Sequence, residues 1–377
     1  MEHKEKSNEQ IIKVLSFILS KLDTLEIEQS KHKAKDCLLD NEVLEDELLT
    51  QQASEALNLA LLTDEQRQIF LSEGDLDYAL AIDQDNRFRV NLMVQKDGIS
   101  GSYRLVSDHI MSLEELGFRN PKVVEKLLDH HNGLVLVTGP AGSGKTTTLA
   151  ALVNILNAKR EDHVICIEDP IEVVQKSKKC NITQRQVGRH TRSFAAALKG
   201  ALREDPDIIV IGEMRDLETI EMAITAAETG HLVIGTLHTS DAATTLNRIL
   251  DVFPPSQQAQ IRSMTAESLR GVICQRLLPA ADGGVALAEE LLISTIAVSN
   301  IVRDGRMHQL KGVLQTGSNI GMSTMDQSVF ALFEKGKIDE HVALANIYDG
   351  ELKHRVHTVL AQRAAAAAGP KKKGWFK

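Results

Sequence analysis

The sequence predicts an α/β protein with a largely parallel sheet, and three observations carry that reading. From about Gly133 to Leu278, short apolar runs alternate with helical patterns. A glycine-rich turn joins the first of these runs to the first helix. Two later runs end in acidic residues. The strand candidates are residues 134–137, 164–167, 208–211 and 232–236. All are short, continuous and rich in Val, Ile and Leu, as buried strands are. The helical patterns between them start near Lys145, Phe194, Glu218 and Ala242. A long helical pattern is expected over 257–278, then a strand at VALAEELL and further helices to about Arg363.

Four segments are expected: an acidic helical extension (1–54), a small α/β domain (55–107), the main α/β domain with C-terminal helices (108–363) and a basic, flexible tail (364–377). In the first segment Ile11, Val14, Leu15, Ile18, Leu22 and Leu25 form an amphipathic stripe. It suits either a helix packed on its own domain or an arm that binds a partner. In the second, DEQRQIF reads as a helix and LDYALAI as a strand. NRFRVNLMVQKDGISGSYRLV reads as a hairpin turning at Asp97-Gly98. Ser112 and Glu115 have capping-box spacing. The tail holds four lysines, no acid and the only tryptophan, Trp375.

The chain of 377 residues is 43% hydrophobic and 25% charged, ordinary values for a soluble globular protein. Its formal net charge of -9 argues against broad nucleic-acid binding. The four cysteines show no CxxC or zinc-ribbon spacing, which fits a reducing compartment. No secretory signal or membrane span is legible. A cytosolic protein is therefore expected, with at most peripheral membrane contact.

GPAGSGKT fits the phosphate-loop pattern G-x-x-x-x-G-K-[ST] over 139–146, with a strand running in and a helix running out. Gly139, Pro140, Ala141, Gly142, Ser143 and Gly144 form the cradle, in which backbone N–H groups turn toward phosphate oxygens. The following helix start, with Lys145, Thr146 and Thr147, adds its positive end. Lys145 can reach the β- and γ-phosphates, and the Thr146 hydroxyl can ligate Mg²⁺. The ligand expected is ATP with Mg²⁺.

In a parallel sheet the strand C-termini open on one edge, where ligands sit. VICIEDPIE brings Glu168, Asp169 and Glu172 to that edge, and DIIVIGEMRD brings Glu213. Glu213, one residue beyond its strand, suits polarising a water. Glu168 suits the Mg²⁺ shell through water, with Asp169 and Glu172 as alternatives. GHLVIGTLHTSD places His231 and His238 at opposite ends of a strand. Seven residues at roughly 3.3 Å each separate them by about 23 Å and send them to opposite faces, so one metal ion cannot take both. His238 falls at the phosphate edge, where it can sense the γ-phosphate; His231 falls at the far one.

Four motifs in order, GPAGSGKTTT, IEDPIE, ALREDPDIIVIGEMRDLETI and AETGHLVIGTLHTSDAA, resemble the Walker A, Asp, Walker B and His boxes of the hexameric secretion and pilus-motor ATPases. The resemblance runs from roughly Leu57 to Asp339 and is strongest with the type IV pilus retraction branch. It implies a RecA-like P-loop domain preceded by a small PAS-like domain. It also implies a homo-hexameric ring and nucleotide bound where small domain, ATPase domain and neighbouring subunit meet. Arg89 and Arg104 match family arginines that approach the phosphates from the small domain. His231, counted in the same box as His238, acts in this view at a subunit boundary.

The tetracysteine insertion of extension and many type II secretion ATPases is absent. AVSNIVRD (297–304) stands where retraction motors carry A-I-R-N-L-I-R-E, with Ser299 for the first arginine and Asp304 for the glutamate. The family's S-D-L-H-L-type opening is missing. The function implied is ATP-driven pilus retraction, the basis of twitching motility, at the inner-membrane pilus base. The implied partners are a platform protein of that membrane and, as a further candidate, a paralogous retraction ATPase. The rival readings are an extension or type II secretion ATPase, and an accessory nucleotide-binding subunit.

Overall fold

The computed structural model describes residues 50–81, 87–106 and 109–367. The extension up to residue 49 and the tail from residue 368 lie outside them. The described residues form two compact units: those within 50–110 together with 168–175, and 111–167 together with 176–367.

The first unit packs two helices, α1 (Gln51–Ala60) and α2 (Asp64–Glu73), with a three-stranded antiparallel sheet of β1 (Asp75–Ala81), β2 (Arg87–Gln95) and β3 (Gly98–Val106). Thr63 and Gln66 close a capping box at the start of α2, satisfying donors that a helix start leaves unpaired. The β2–β3 hairpin turns at Lys96-Asp97, one residue before the expected Asp97-Gly98, because Gly98 already pairs with Gln95 as the first residue of β3, at φ +115°. Phe70, Tyr78, Phe88, Val90 and Leu92 form the core between helices and sheet.

The second unit is a seven-stranded sheet of β4 (Gly133–Thr138), β5 (His163–Glu168), β6 (Asn181–Gln186), β7 (Ile208–Ile211), β8 (Leu232–Leu237), β9 (Leu269–Pro279) and β10 (Val285–Ile293). Their spatial order is β10-β9-β4-β8-β7-β5-β6. The pairs β5/β7, β7/β8, β8/β4 and β4/β9 are parallel, and β10 returns antiparallel to β9. Alternate residues of each central strand enter different cores. Leu134, Leu136, Ile209 and Ile211 join one; Val135, Val137, Ile208 and Val210 join the other. Burial on both faces explains why these strands read as unbroken apolar runs.

α3 (Pro121–Leu127), α4 (Lys145–Lys159), α5 (Phe194–Ala201), α6 (Leu217–Glu228), α7 (Ala242–Asp251) and α8 (Pro255–Ser268) precede β9. α9 (Ile296–Arg303), α10 (Leu310–Thr316), α11 (Met325–Glu334), α12 (Glu340–Asn346) and α13 (Gly350–Ala367) follow β10. α13 continues through the alanine run to Ala367, as the high helix propensity of alanine favours. Ser112 and Glu115 exchange capping-box hydrogen bonds, but around a turn rather than a helix. No described helix is long and apolar enough to cross a membrane.

The sequence expectation fails at 257–278. Helix α8 stops at Ser268, and Leu269 onward is the strand β9. No Pro or Gly separates them, since the chain turns directly from helix to strand at Leu269. Gly271 allows the strand to lie against the Leu127 side chain and the Leu292 carbonyl. The 269–278 part of the run is apolar enough for either structure, and tertiary pairing with β4 decides for the strand.

Candidate functional site

The phosphate loop leaves the C-terminal end of β4 and enters α4 at Lys145. Gly144 caps α4 in the left-handed region at φ +84°, and Gly139 sits at φ +153°. A Cβ at Gly139 would run into the Gln275 carbonyl oxygen and the Ser143 hydroxyl, so only glycine leaves the loop its path. Pro140, Ala141, Gly142, Thr146 and Thr147 are exposed, whereas Ser143 is buried. The Ser143 hydroxyl has no protein partner among the described residues. Beneath the loop, Gln275 of β9 donates to the Thr148 hydroxyl at 2.8 Å.

Lys145, His238 and Glu213 come together. Lys145 Nζ donates to the carbonyls of Gly139 and Pro140, each at 2.9 Å, and lies 3.3 Å from His238 Nδ1. His238 Nε2 is 3.1 Å from Glu213 Oε1. The Arg215 Nε lies 2.6 Å from the same oxygen. An ammonium only donates, so His238 Nδ1 accepts from Lys145 and the Nε2–H donates to the carboxylate. The Glu213 side chain is 19% exposed. Burial alone would raise its pKa, but Arg215 and His238 together outweigh that and hold the carboxyl below its usual range. Burial lowers the Lys145 pKa, and the Glu213 charge opposes the change.

Short bonds between neighbouring strands fix Glu213. The Thr236 hydroxyl on β8 donates to the Gly212 carbonyl, and Met214 N donates to the Thr236 carbonyl at 3.0 Å. Gly212 N donates to the Ile167 carbonyl at 2.8 Å. Glu213 is thereby held immediately beyond β7. After His238, Thr239 hydrogen-bonds to the Thr245 hydroxyl at 2.7 Å, and Asp241 caps α7 through Thr244 N at 2.7 Å.

The other expected site residues fall elsewhere. Glu168 ends β5, one residue past the registered pair Ile167 and Ile211. Glu172 lies in the first unit, where its Oε1 is 3.0 Å from Arg89 Nη1. Arg89 and Arg104 are direct cross-strand neighbours on β2 and β3. Like charges opposite one another on a sheet repel, and Glu172 offsets that at Arg89. His231 precedes β8, at the far edge from the phosphate loop, and its Nδ1 contacts the Ala226 carbonyl at 3.0 Å, at the end of α6. There it does a capping job.

Two residues of the site were missed in the sequence. Arg215 stands two positions after Glu213 in GEMRD, where a cation close to the key acid was legible. Gln275 was hidden because its strand was read as helix.

The model for the family described as type II/IV secretion system protein matches residues 72–315. A type IV pilus retraction ATPase, PilT, of Pseudomonas aeruginosa is 46% identical over 288 residues, covering 76% of this chain and 83% of that protein. A twitching motility protein of Neisseria gonorrhoeae is 47% identical over 293 residues, covering 78% of each chain. A crystal structure of the pilus retraction motor PilT with bound ADP superposes with a TM-score of 0.73 at 42% identity, covering 79% of this chain and 85% of that one. The fold, the phosphate loop with its Lys145–His238–Glu213 chain, and these similarities agree: the chain belongs to the type II/IV secretion system protein family.

Proposed function

We propose that this chain is a motor ATPase that couples ATP hydrolysis to type IV pilus retraction, with Lys145, His238 and Glu213 at its catalytic centre. The observation that carries the reading is the continuous contact from the phosphate-loop lysine through His238 to an ionised carboxylate at the sheet edge. The chain is a PilT-like ATP hydrolase, similar over 76–78% of its length to a retraction and a twitching protein. The absence of a tetracysteine insertion and the AVSNIVRD segment favour retraction over extension.

In this reading the loop N–H groups and Lys145 bind the β- and γ-phosphates. Glu213, kept ionised by Arg215 and His238, orients and polarises the attacking water. His238 touches both Lys145 and Glu213, so a change at the γ-phosphate reaches the base through one imidazole. The hard-oxygen donors at this edge, the Thr146 hydroxyl and the Glu168 carboxylate, suit Mg²⁺, which when bound neutralises phosphate charge. The family resemblance assigns Arg89 and Arg104 to the phosphates; within its own unit Arg89 has Glu172 as counter-charge. A homo-hexamer at the inner-membrane pilus base, acting on a platform protein, completes the proposal. A paralogous retraction ATPase is a candidate second partner.

Imaging pili on cells that lack the gene tests the direction of the motor. Piliated cells unable to withdraw their pili are expected; bald cells would make the chain an extension ATPase. Absence of ATP turnover by the purified oligomer would leave it an accessory subunit.

A further inference from the structure

At the sheet edge opposite the phosphate loop lies a cleft of about 520 Å³, between the start of β9, the end of β10 and helix α9. Arg270, His130 and Arg303 line it with Ser299, Ile293 and Ile296. The ATP-binding reading uses none of them.

Its positive charge is only partly compensated. The Arg270 guanidinium donates to the Asn132 carbonyl at 2.9 Å, the Asn132 side-chain oxygen at 3.0 Å, and the Glu267 and Leu269 carbonyls at 2.9 and 3.4 Å. Those neutral oxygens hold the group in place but do not cancel its charge. Among the described residues no carboxylate forms an ion pair with it. Arg303 reaches Glu267 only at 3.7 Å. At His130 the pKa is lowered by burial first and by Arg270 second, against an opposite pull from Asp129. One wall is apolar, and Ile296 at its rim is 84% exposed.

We infer that this cleft docks an acidic peptide segment of a partner protein, carboxylates facing Arg270 and Arg303 and an apolar side chain against Ile293 and Ile296. A lone phosphate would leave most of the volume and the apolar wall unused. A bilayer is a poor fit as well. Arg270 is half-buried, out of reach of a flat headgroup surface. A carboxylate-rich peptide matches both linings, and arginine pairs well with carboxylates. The inference rests on the motor reading only for who the partner is: loss of peptide binding with ATP turnover intact sinks the cleft alone.

The test is fluorescence anisotropy on the full chain with a fluorescein-labelled peptide alternating glutamate and leucine. The glutamate peptide should bind and its glutamine counterpart should not. Arg303→Glu should weaken binding by about tenfold or more, the scale of one lost charge-assisted contact. Ser299→Arg adds a cation at the cleft and should tighten binding, which keeps the test decisive if Arg303→Glu folds poorly. Equal binding of the two peptides, or no response to either substitution, overturns the proposal. So does displacement of the peptide by millimolar inorganic phosphate. Sedimentation with phosphatidylglycerol vesicles that depends on Arg303, without peptide binding, would reassign the cleft to lipid.

Discussion

His238 Nε2 lies 3.1 Å from Glu213 Oε1, and the other ring nitrogen of the same histidine faces the phosphate-loop lysine. In the proposed mechanism one imidazole therefore joins the group that grips phosphate to the group that handles water. This arrangement demands a neutral ring with its proton on Nε2, because a proton on Nδ1 would set two donors against each other. Nitrogen-15 NMR of the His238 ring should show that tautomer. His238→Ala should lower kcat by about 100-fold, the lower end of the range for a positioned acid–base group, with a smaller change in KM.

Glu213→Gln keeps the shape of the side chain and removes its charge. We expect nucleotide affinity to hold and turnover to fall on the order of 10²–10³-fold. Lys145→Ala should lower both, since Lys145 binds the ground state as well. Fluorescent nucleotide titration beside a phosphate-release assay separates the two outcomes. Equal turnover in wild type and Glu213→Gln would remove Glu213 from the chemistry.

Thr236→Val is nearly isosteric but deletes the hydroxyl that bonds the Gly212 carbonyl. The backbone leading to Glu213 then loses a buried bond. A stability loss of about 1–2 kcal/mol is expected, with a fall in kcat larger than the change in nucleotide affinity. Thermal melts and steady-state kinetics measure both.

Glu289 on β10 predicts a pH effect on stability. Its carboxyl is pushed up to about 7, by burial above all, although the Arg119 N–H at 3.0 Å acts in the opposite direction. In the unfolded chain it titrates near 4.5. Between those values the folded protein keeps a proton that the unfolded chain has lost. Stability from this group is thus full below about 4.5, declines as pH rises to about 7 and is flat above it. Glu289→Gln retains an acceptor for Arg119 and removes the titration. The variant should melt above wild type at pH 8, by roughly 2–3 kcal/mol, with the gap closing toward pH 5. A constant gap across that range would contradict the assignment.

The central strands and the phosphate loop were legible because each has a local signature. Residues 208–211 and 232–236 are continuous apolar runs, and both faces of their sheet are buried. Lys145, Glu213 and His238 could be placed on one edge because parallel strands share a direction. The β9 strand was not legible, since Val272, Ile273 and Cys274 suit a buried helix as well as a buried strand until β4 is there to pair with. Nor was the Arg89–Glu172 pair, whose members are 83 residues apart. Periodicity reports on neighbours along the chain, whereas this contact depends on where residues 168–175 pack.

Strand β9 carries Arg270 near its start and Gln275 five residues on. At roughly 3.3 Å per residue the two are about 17 Å apart on one extended segment. The first borders the cationic cleft; the second braces Thr148 and backs onto Gly139. From Gly271 to Cys274 the segment is paired on both sides, to β4 and to β10, while the β4 register shifts at Arg270. In the proposed motor this doubly paired stretch is a short stiff rod between load and fuel, so a shove at one tip is delivered to the other.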